Sequence, residues 1–193
     1  MFEVRIGPEV ALRLLEARHS DELYQLIRQN WERLRVWVPW LRLTSTVDQT
    51  REYVQRSLHR FANGKGFSAG IWLGDQLVGQ IALEYIDRDN RLTEIGYWID
   101  AGVEGKGIVT KACQHLVDYA FGELDLNRVQ IRCAVENTRS RAIAQRLGFV
   151  EEGVLRQVEQ LETGYVDLVI YGMLRHEWLE SGRNSKRSRP NQC

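Results

Sequence analysis

Apolar residues recur along this chain with two different periods, and each change of period marks a new element. The run VALRLLE at 10–16 reads as a short strand. Ser20 or Asp21 then caps a helix whose Leu23, Leu26, Ile27, Trp31 and Leu34 recur at helical spacing. Val36-Trp37-Val38-Pro39-Trp40-Leu41 interrupts that helix, because Pro39 lacks a backbone donor and biases Val38 toward extended geometry. Thr46 is the next N-cap, and Val47, Val54, Leu58 and Phe61 predict a second helix ending at Asn63-Gly64. Three strands in a meander follow, at 67–73, 76–86 and 92–100. In the last of them Thr93, Ile95, Tyr97 and Ile99 face one way while Glu94, Gly96, Trp98 and Asp100 face the other. Ile108, Val109, Ala112, Cys113, Leu116, Val117, Ala120 and Phe121 mark a longer helix, and residues 127–135 alternate as a strand with Val129, Ile131, Cys133 and Val135 on one face. A short helix at 140–147 and strands at 154–161 and 165–174 complete the pattern.

Length and charge narrow the class. With 193 residues, 44% of them apolar, the chain suits one domain, expected over 1–179, and the polar, basic, aperiodic residues 180–193 read as a disordered tail. Lys plus Arg number 26, as do Asp plus Glu, so no net field draws the chain to nucleic acid or to an acidic membrane. No apolar run is long enough to span a bilayer, and the N-terminal residues do not read as a signal peptide, so the expectation is a soluble cytoplasmic protein. Cys113, Cys133 and Cys193 have no CxxC spacing, and His19, His59, His115 and His176 are scattered, which argues against both a disulfide framework and a metal site.

The chemistry concentrates where the strand ending at Trp98-Ile99-Asp100 runs through Ala101-Gly102-Val103-Glu104-Gly105-Lys106-Gly107 into the helix beginning Ile108-Val109-Thr110. Glycines let backbone N–H groups approach a ligand, and a helix N-terminus adds partial positive charge, so a pyrophosphate is the natural guest. The segment lacks the GxxxxGK[ST] spacing of a P-loop, and it follows an antiparallel meander, unlike a dinucleotide fold. It resembles the [QR]xxGx[GA] loop of the GCN5-related N-acetyltransferase (GNAT) superfamily, with Glu104 in place of Gln or Arg and Val109 in place of the small residue. Four further segments extend the resemblance over about residues 8–178 toward the RimJ/RimL branch, which is associated with ribosomal-protein N-termini. They are Val36-Trp37-Val38-Pro39-Trp40, Thr93-Glu94-Ile95-Gly96-Tyr97-Trp98-Ile99, Leu126-Asn127-Arg128-Val129, and Asn137-Thr138-Arg139-Ser140 with Leu147-Gly148-Phe149.

That resemblance implies an α/β (α+β) fold with a mixed, mostly antiparallel sheet of about seven strands, flanked by about four helices. The sheet would splay between the strands at 92–100 and 127–135. Acetyl-CoA would enter the splay with its pantetheine along Trp98 and Ile99. Its pyrophosphate would sit on Glu104, Gly105, Lys106, Gly107, Ile108, Val109 and Thr110, with Asn137, Ser140 and Phe149 on the other side. The resemblance also implies Glu159 as general base, with Cys133 and Ser140 serving the intermediate or the leaving sulfur. Glu94 is the alternative base. Trp37, Trp40 and Tyr85 are candidates to wall the acceptor channel, and Trp31 shares that reading.

An α-amine titrates near 7.8 and lysine near 10.4, so at pH 7 the neutral fraction of the α-amine is roughly 400 times larger. A carboxylate base suffices there, which favours a protein N-terminus as acceptor, with a small amine or a non-catalytic CoA-binding role as alternatives. The resemblance further implies a homodimer, for which exposed tryptophans and the late strands are candidate surfaces.

Overall fold

The computed structural model of the protein describes residues 3–162 and 164–182. Its strands are β1 (Glu3–Arg5), β2 (Val10–Leu14), β3 (Phe67–Leu73), β4 (Gln76–Asp87), β5 (Leu92–Ile99), β6 (Arg128–Ala134), β7 (Val150–Leu161) and β8 (Gly164–Leu174). They form one sheet in the order β1-β2-β3-β4-β5-β6-β8-β7. Every neighbouring pair is antiparallel except β5 and β6. The helices are α1 (Ser20–Gln29), α2 (Trp31–Leu34), α3 (Val47–Ala62), α4 (Ile108–Gly122), α5 (Thr138–Arg146) and α6 (Arg175–Glu180).

The sheet is covered on both faces, as the alternation in β5 requires. Ile95 and Ile99 of β5 pack with α4 through Val109, Ala112, Cys113, Leu116 and Val117. Trp98, on the opposite face, packs with Leu23, Ile27, Leu34 and Val54 of α1, α2 and α3. Burying both faces of the central strands removes most of their apolar area from water, the main favourable term in folding.

Several boundaries differ from the pattern-based expectation, each for a local reason. The helix expected to run through Trp31 and Leu34 breaks at Asn30, whose side-chain amide donates to the Leu26 carbonyl at 3.0 Å while its Oδ1 accepts from Ala101 N at 3.1 Å. A bond to the distant loop is there preferred over a continuous helix. The helix expected from Ser140 starts at Thr138, because Asn137 caps it by accepting from Ser140 N at 3.1 Å. The sheet gains β1, only three residues long, and β7 begins at Val150, four residues before the pattern showed it. Helix α6 extends to Glu180, one residue past the expected end of the domain, and it is anchored by the buried Trp178, whose indole N–H donates to Asp118 Oδ1 at 2.7 Å. Of the tail, residues 183–193 lie outside the described residues, as does Cys193. Among the described residues no helix is long and apolar enough to cross a membrane, and no group of His, Cys, Asp or Glu is placed to hold a metal ion.

Candidate active site

The parallel pair β5–β6 is matched only over Leu92↔Arg128, Thr93↔Val129 and Glu94↔Gln130. Beyond Glu94, β5 stays with β4 as far as Ile99, and β6 stays with β8 as far as Ala134, so the two strands part. The wedge leaves backbone groups of β5 from Ile95 onward without a ladder partner on that edge, and such groups demand another partner. It opens into a cleft of about 400 Å³ whose walls include the predicted Trp37, Trp40, Tyr85, Glu94, Trp98, Ile99, Glu104, Val109, Cys133, Asn137, Ser140 and Glu159. Gly105, Lys106, Gly107 and Thr110 lie in the loop and first helical turn just outside that wall. Ile108 and Phe149 are core side chains, each 5% exposed, so any contact from them to a cofactor is by backbone or through neighbours.

The loop after β5 has the geometry to receive an anion. Gly105 and Gly107 hold φ of 75° and 72°, the left-handed region that glycine enters without penalty. Gly107 has no side chain to cap α4, so the N–H groups of its first turn remain open. Glu104, the departure from the motif, sits between two guanidiniums: Oε1 accepts from Arg33 Nη1 at 2.5 Å and Oε2 from Arg139 Nη1 at 2.6 Å. Arg33 also donates to the Ile99 carbonyl and to Asn30 Oδ1. The carboxylate is thus neutralised and spans the cleft mouth from α2 to α5. Open amides with Arg33, Arg139 and exposed Lys106 fit a pyrophosphate, and the open edge of β5 fits an amide-bearing arm. Arg33 and Arg139 were not legible as site residues, because their partner is a residue distant in sequence from both.

On the α4 side of the wedge, Tyr97 Oη lies 2.9 Å from Ser140 Oγ, and the Cys133 thiol lies beside Ser140 in the same wall. Burial holds the Tyr97 phenol well above its ordinary range and pushes the Cys133 thiol up, so both are protonated at neutral pH. Cys113, likewise buried, packs into the core from α4 itself.

On the opposite face the cleft carries carboxylates. Glu94 Oε2 accepts from Arg132 Nε at 2.7 Å and from Gln130 Nε2 at 2.9 Å. Glu159 of β7 is half-buried in the same wall, near Leu161 and Val166. Trp40 stacks on Tyr53 with ring centroids 4.4 Å apart, and Tyr85 Oη accepts from Gln130 Nε2 at 3.1 Å. Trp31 packs with the α1–α3 core and does not line the cleft. The cleft also holds Glu84 of β4, a residue absent from the sequence-based candidates. Its signal was the phase of β4, where a charged residue interrupts the apolar run just before Tyr85.

The chain matches the family model described as acetyltransferase (GNAT) domain over residues 9–150. It is 42% identical to the putative ribosomal N-acetyltransferase YdaF of Bacillus subtilis (strain 168), covering 92% of this chain and 98% of the relative. It is 32% identical to the ribosomal-protein-serine acetyltransferase of Escherichia coli (strain K12), covering 89% and 96%. Among solved structures it superposes with a TM-score of 0.86, at 27% identity, covering 89% of this chain and 97% of the other, on RimL, a ribosomal L7/L12 α-N-protein acetyltransferase in complex with coenzyme A joined by a disulfide to one of its cysteines. A splayed sheet with an anion loop at one mouth and an amine-facing cleft at the other is what this chemistry needs, and the chain belongs to the GNAT acetyltransferase family as an acetyl-CoA-dependent N-acetyltransferase.

Proposed function

We propose that the protein acetylates the N-terminal α-amine of a ribosomal or other cytoplasmic protein, working in the cytoplasm. The observation that carries this reading is the two-sided cleft. A loop for an anion and a thiol-side hydroxyl lie on the α4 face, and carboxylates with aromatic walls lie on the other, joined through the gap between β5 and β6. The activities of the relatives, acetylation of ribosomal proteins, point the same way.

Bound acetyl-CoA supplies a thioester, activated for attack by an amine. The open amides of the α4 N-terminus, with Arg33, Arg139 and Lys106, bind its phosphates. The edge of β5 that β6 leaves, at Trp98 and Ile99, aligns the pantetheine arm, and Asn137 fixes the first turn of α5 so that Ser140 faces the gap. Ser140, with Tyr97 against its oxygen, donates a proton to the leaving sulfur. Cys133 forms the adjoining wall. Glu159 accepts a proton from the amine, and Glu94, held by Arg132, sets the field that favours a cationic acceptor. An α-amine needs less help from such a base than lysine does.

We also propose that the protein works as a homodimer through its last hairpin. Val150, Val154, Leu155 and Val158 of β7, with Tyr165 of β8, are all large apolar side chains left exposed.

The test incubates the protein with acetyl-CoA and a serine-first pentapeptide, the same peptide with its N-terminus blocked and one lysine added, and spermidine. Free thiol and product mass are then followed. The reading expects acceptor-dependent release with the free N-terminus and at least tenfold less with the others. Release with spermidine alone makes the protein a small-molecule acetyltransferase, and binding without release from any acceptor makes it a regulator.

A further inference from the structure

We propose that Glu84 is a catalytic carboxylate of this enzyme, receiving the acceptor's amine at the point where the sheet begins to part. The proposal deepens the reading above and rests on it, by naming the group that meets the amine.

The placement comes from a β-bulge. The pairing of β4 with β5 runs regularly to Leu83↔Ile95 and resumes at Ile86↔Thr93, so Glu84 and Tyr85 together oppose the single residue Glu94. Bulges re-aim side chains, and this one sends two polar residues to the face that carries Glu94. Tyr85 reaches Gln130, as does Glu94. Glu84 instead lies along β5 toward Gly96, and a Cβ at that position would overlap its Oε1. Gly96 is the second residue after the last β5–β6 pair, and Trp98, where the pantetheine edge is expected, is two further on. The carboxylate therefore covers the apex of the splay on the acceptor face, in room that the glycine in β5 leaves it.

Its surroundings suit a proton acceptor better than those of Glu94. The side chain of Glu94 is 11% exposed and bound directly by Arg132 and Gln130. Glu84 keeps 33% of its side chain accessible from the cleft, and the nearest guanidinium nitrogen, Arg60 Nη1, stands 3.6 Å from its Oε2. Arg60 is itself fixed by donating to the Glu84 carbonyl at 2.5 Å. The charged and titratable groups facing Glu84 are Arg60 and Tyr53 from α3, Glu94 from β5 and Arg132 from β6. Burial raises its carboxyl above the usual range and Glu94 adds to the rise, against the pull of Arg60 and Arg132. Tyr53, pushed up to about 12 by burial, remains a neutral phenol.

The acceptor ammonium loses one proton to the Glu84 carboxylate, the neutral nitrogen forms the new C–N bond, and its second proton passes to Glu159 as the C–S bond breaks. The leaving sulfur takes the Ser140 hydroxyl proton, which solvent replaces, and the two carboxylates return their protons to water, so one proton is released per turnover.

The test compares wild type, Glu84→Gln, Glu159→Gln and Arg60→Met, using acetyl-CoA and the serine-first pentapeptide. Circular dichroism and calorimetric titration with acetyl-CoA establish folding and cofactor affinity. Glu84→Gln is expected to leave acetyl-CoA affinity within about twofold, to lower kcat by about 10²-fold, and to abolish the acid limb of kcat measured at saturating peptide. Arg60→Met, by withdrawing a cation that favours the ionised form, is expected to move that limb to higher pH, and it decides the matter should Glu84→Gln not fold. An unchanged limb in both variants, or a limb abolished by Glu159→Gln and untouched by Glu84→Gln, overturns the role of Glu84 while leaving the acetyltransferase intact. Wild type silent on every acceptor overturns the proposed function and this role with it.

Discussion

Glu104 is where a single residue departs most clearly from the family's loop, and two arginines meet it there. A carboxylate at an anion site is repulsive on its own, yet here it is matched by Arg33 and Arg139, which it holds at the mouth of the cleft. Replacing it with glutamine keeps one hydrogen-bond acceptor, gives up the bond to one of the two arginines and deletes one negative charge. Glu104→Gln is therefore expected to bind acetyl-CoA several-fold more tightly at low salt, with the gain shrinking as salt screens it. Titration at two ionic strengths checks this, and weaker binding at both would mean that the bridge positions the arginines rather than neutralising them. Ser140 is the second residue with a separable job. Its backbone N–H, not its hydroxyl, bonds to Asn137, so Ser140→Ala leaves the cap of α5 in place. That variant is expected to lower kcat by about 10²-fold with acetyl-CoA affinity unchanged, as read by thiol release and calorimetry.

At the scale of elements, α5 depends on its cap. Asn137→Ala removes the side-chain acceptor for Ser140 N and is expected to cost about 1 kcal/mol. In a domain of this size that is a fall of roughly 2–4 °C in Tm, accompanied by a rise in KM for acetyl-CoA as the Ser140 turn loosens. A loss of stability with unchanged KM would separate the cap from the site. Elements of this kind were legible in the sequence to different degrees. Helix α3, strand β5 and helix α4 stood out because a strong period, a cap at Thr46 and a glycine turn at 105–107 agree with one another. The break at Asn30 was not legible, since the residue that causes it, Ala101, is 71 positions away. The bulge at Glu84–Tyr85 was hidden for a similar reason, because an extra residue in one strand shows only against its partner. Of the site, the residues named in contiguous motifs were found, whereas Arg33 and Arg132 come to the cleft from α2 and β6 through partners distant in sequence, and Glu84 showed only as a charge interrupting the apolar run of β4.

At the scale of the whole molecule, the last hairpin stands apart from the rest. Nearly all of β7 is exposed on both faces, and its register to β8 shifts twice, around Gly153 and around Gln157, whose φ is 50°. A strand with four large exposed apolar residues at the end of a sheet is an edge that a monomer ordinarily protects. The proposed homodimer covers it. Sedimentation is expected to show a dimer for wild type and a monomer for Val154→Lys, and a wild-type monomer at all concentrations would remove the proposal. Because β7 also carries Glu159 and Leu161 into the cleft, loss of the dimer is expected to lower turnover as well.

The central claim joins these scales: acetyl-CoA lies between β5 and β6, with its phosphates on the loop leading into α4. Hydrogen–deuterium exchange, with and without saturating acetyl-CoA, tests it directly. The account predicts slower exchange in two separate segments, the edge-facing amides of Ile95, Tyr97 and Ile99 in β5 and the loop and first turn at 105–110, since the ligand would supply acceptors to both. Bound acetyl-CoA that leaves both segments unprotected would place the ligand elsewhere and contradict the account.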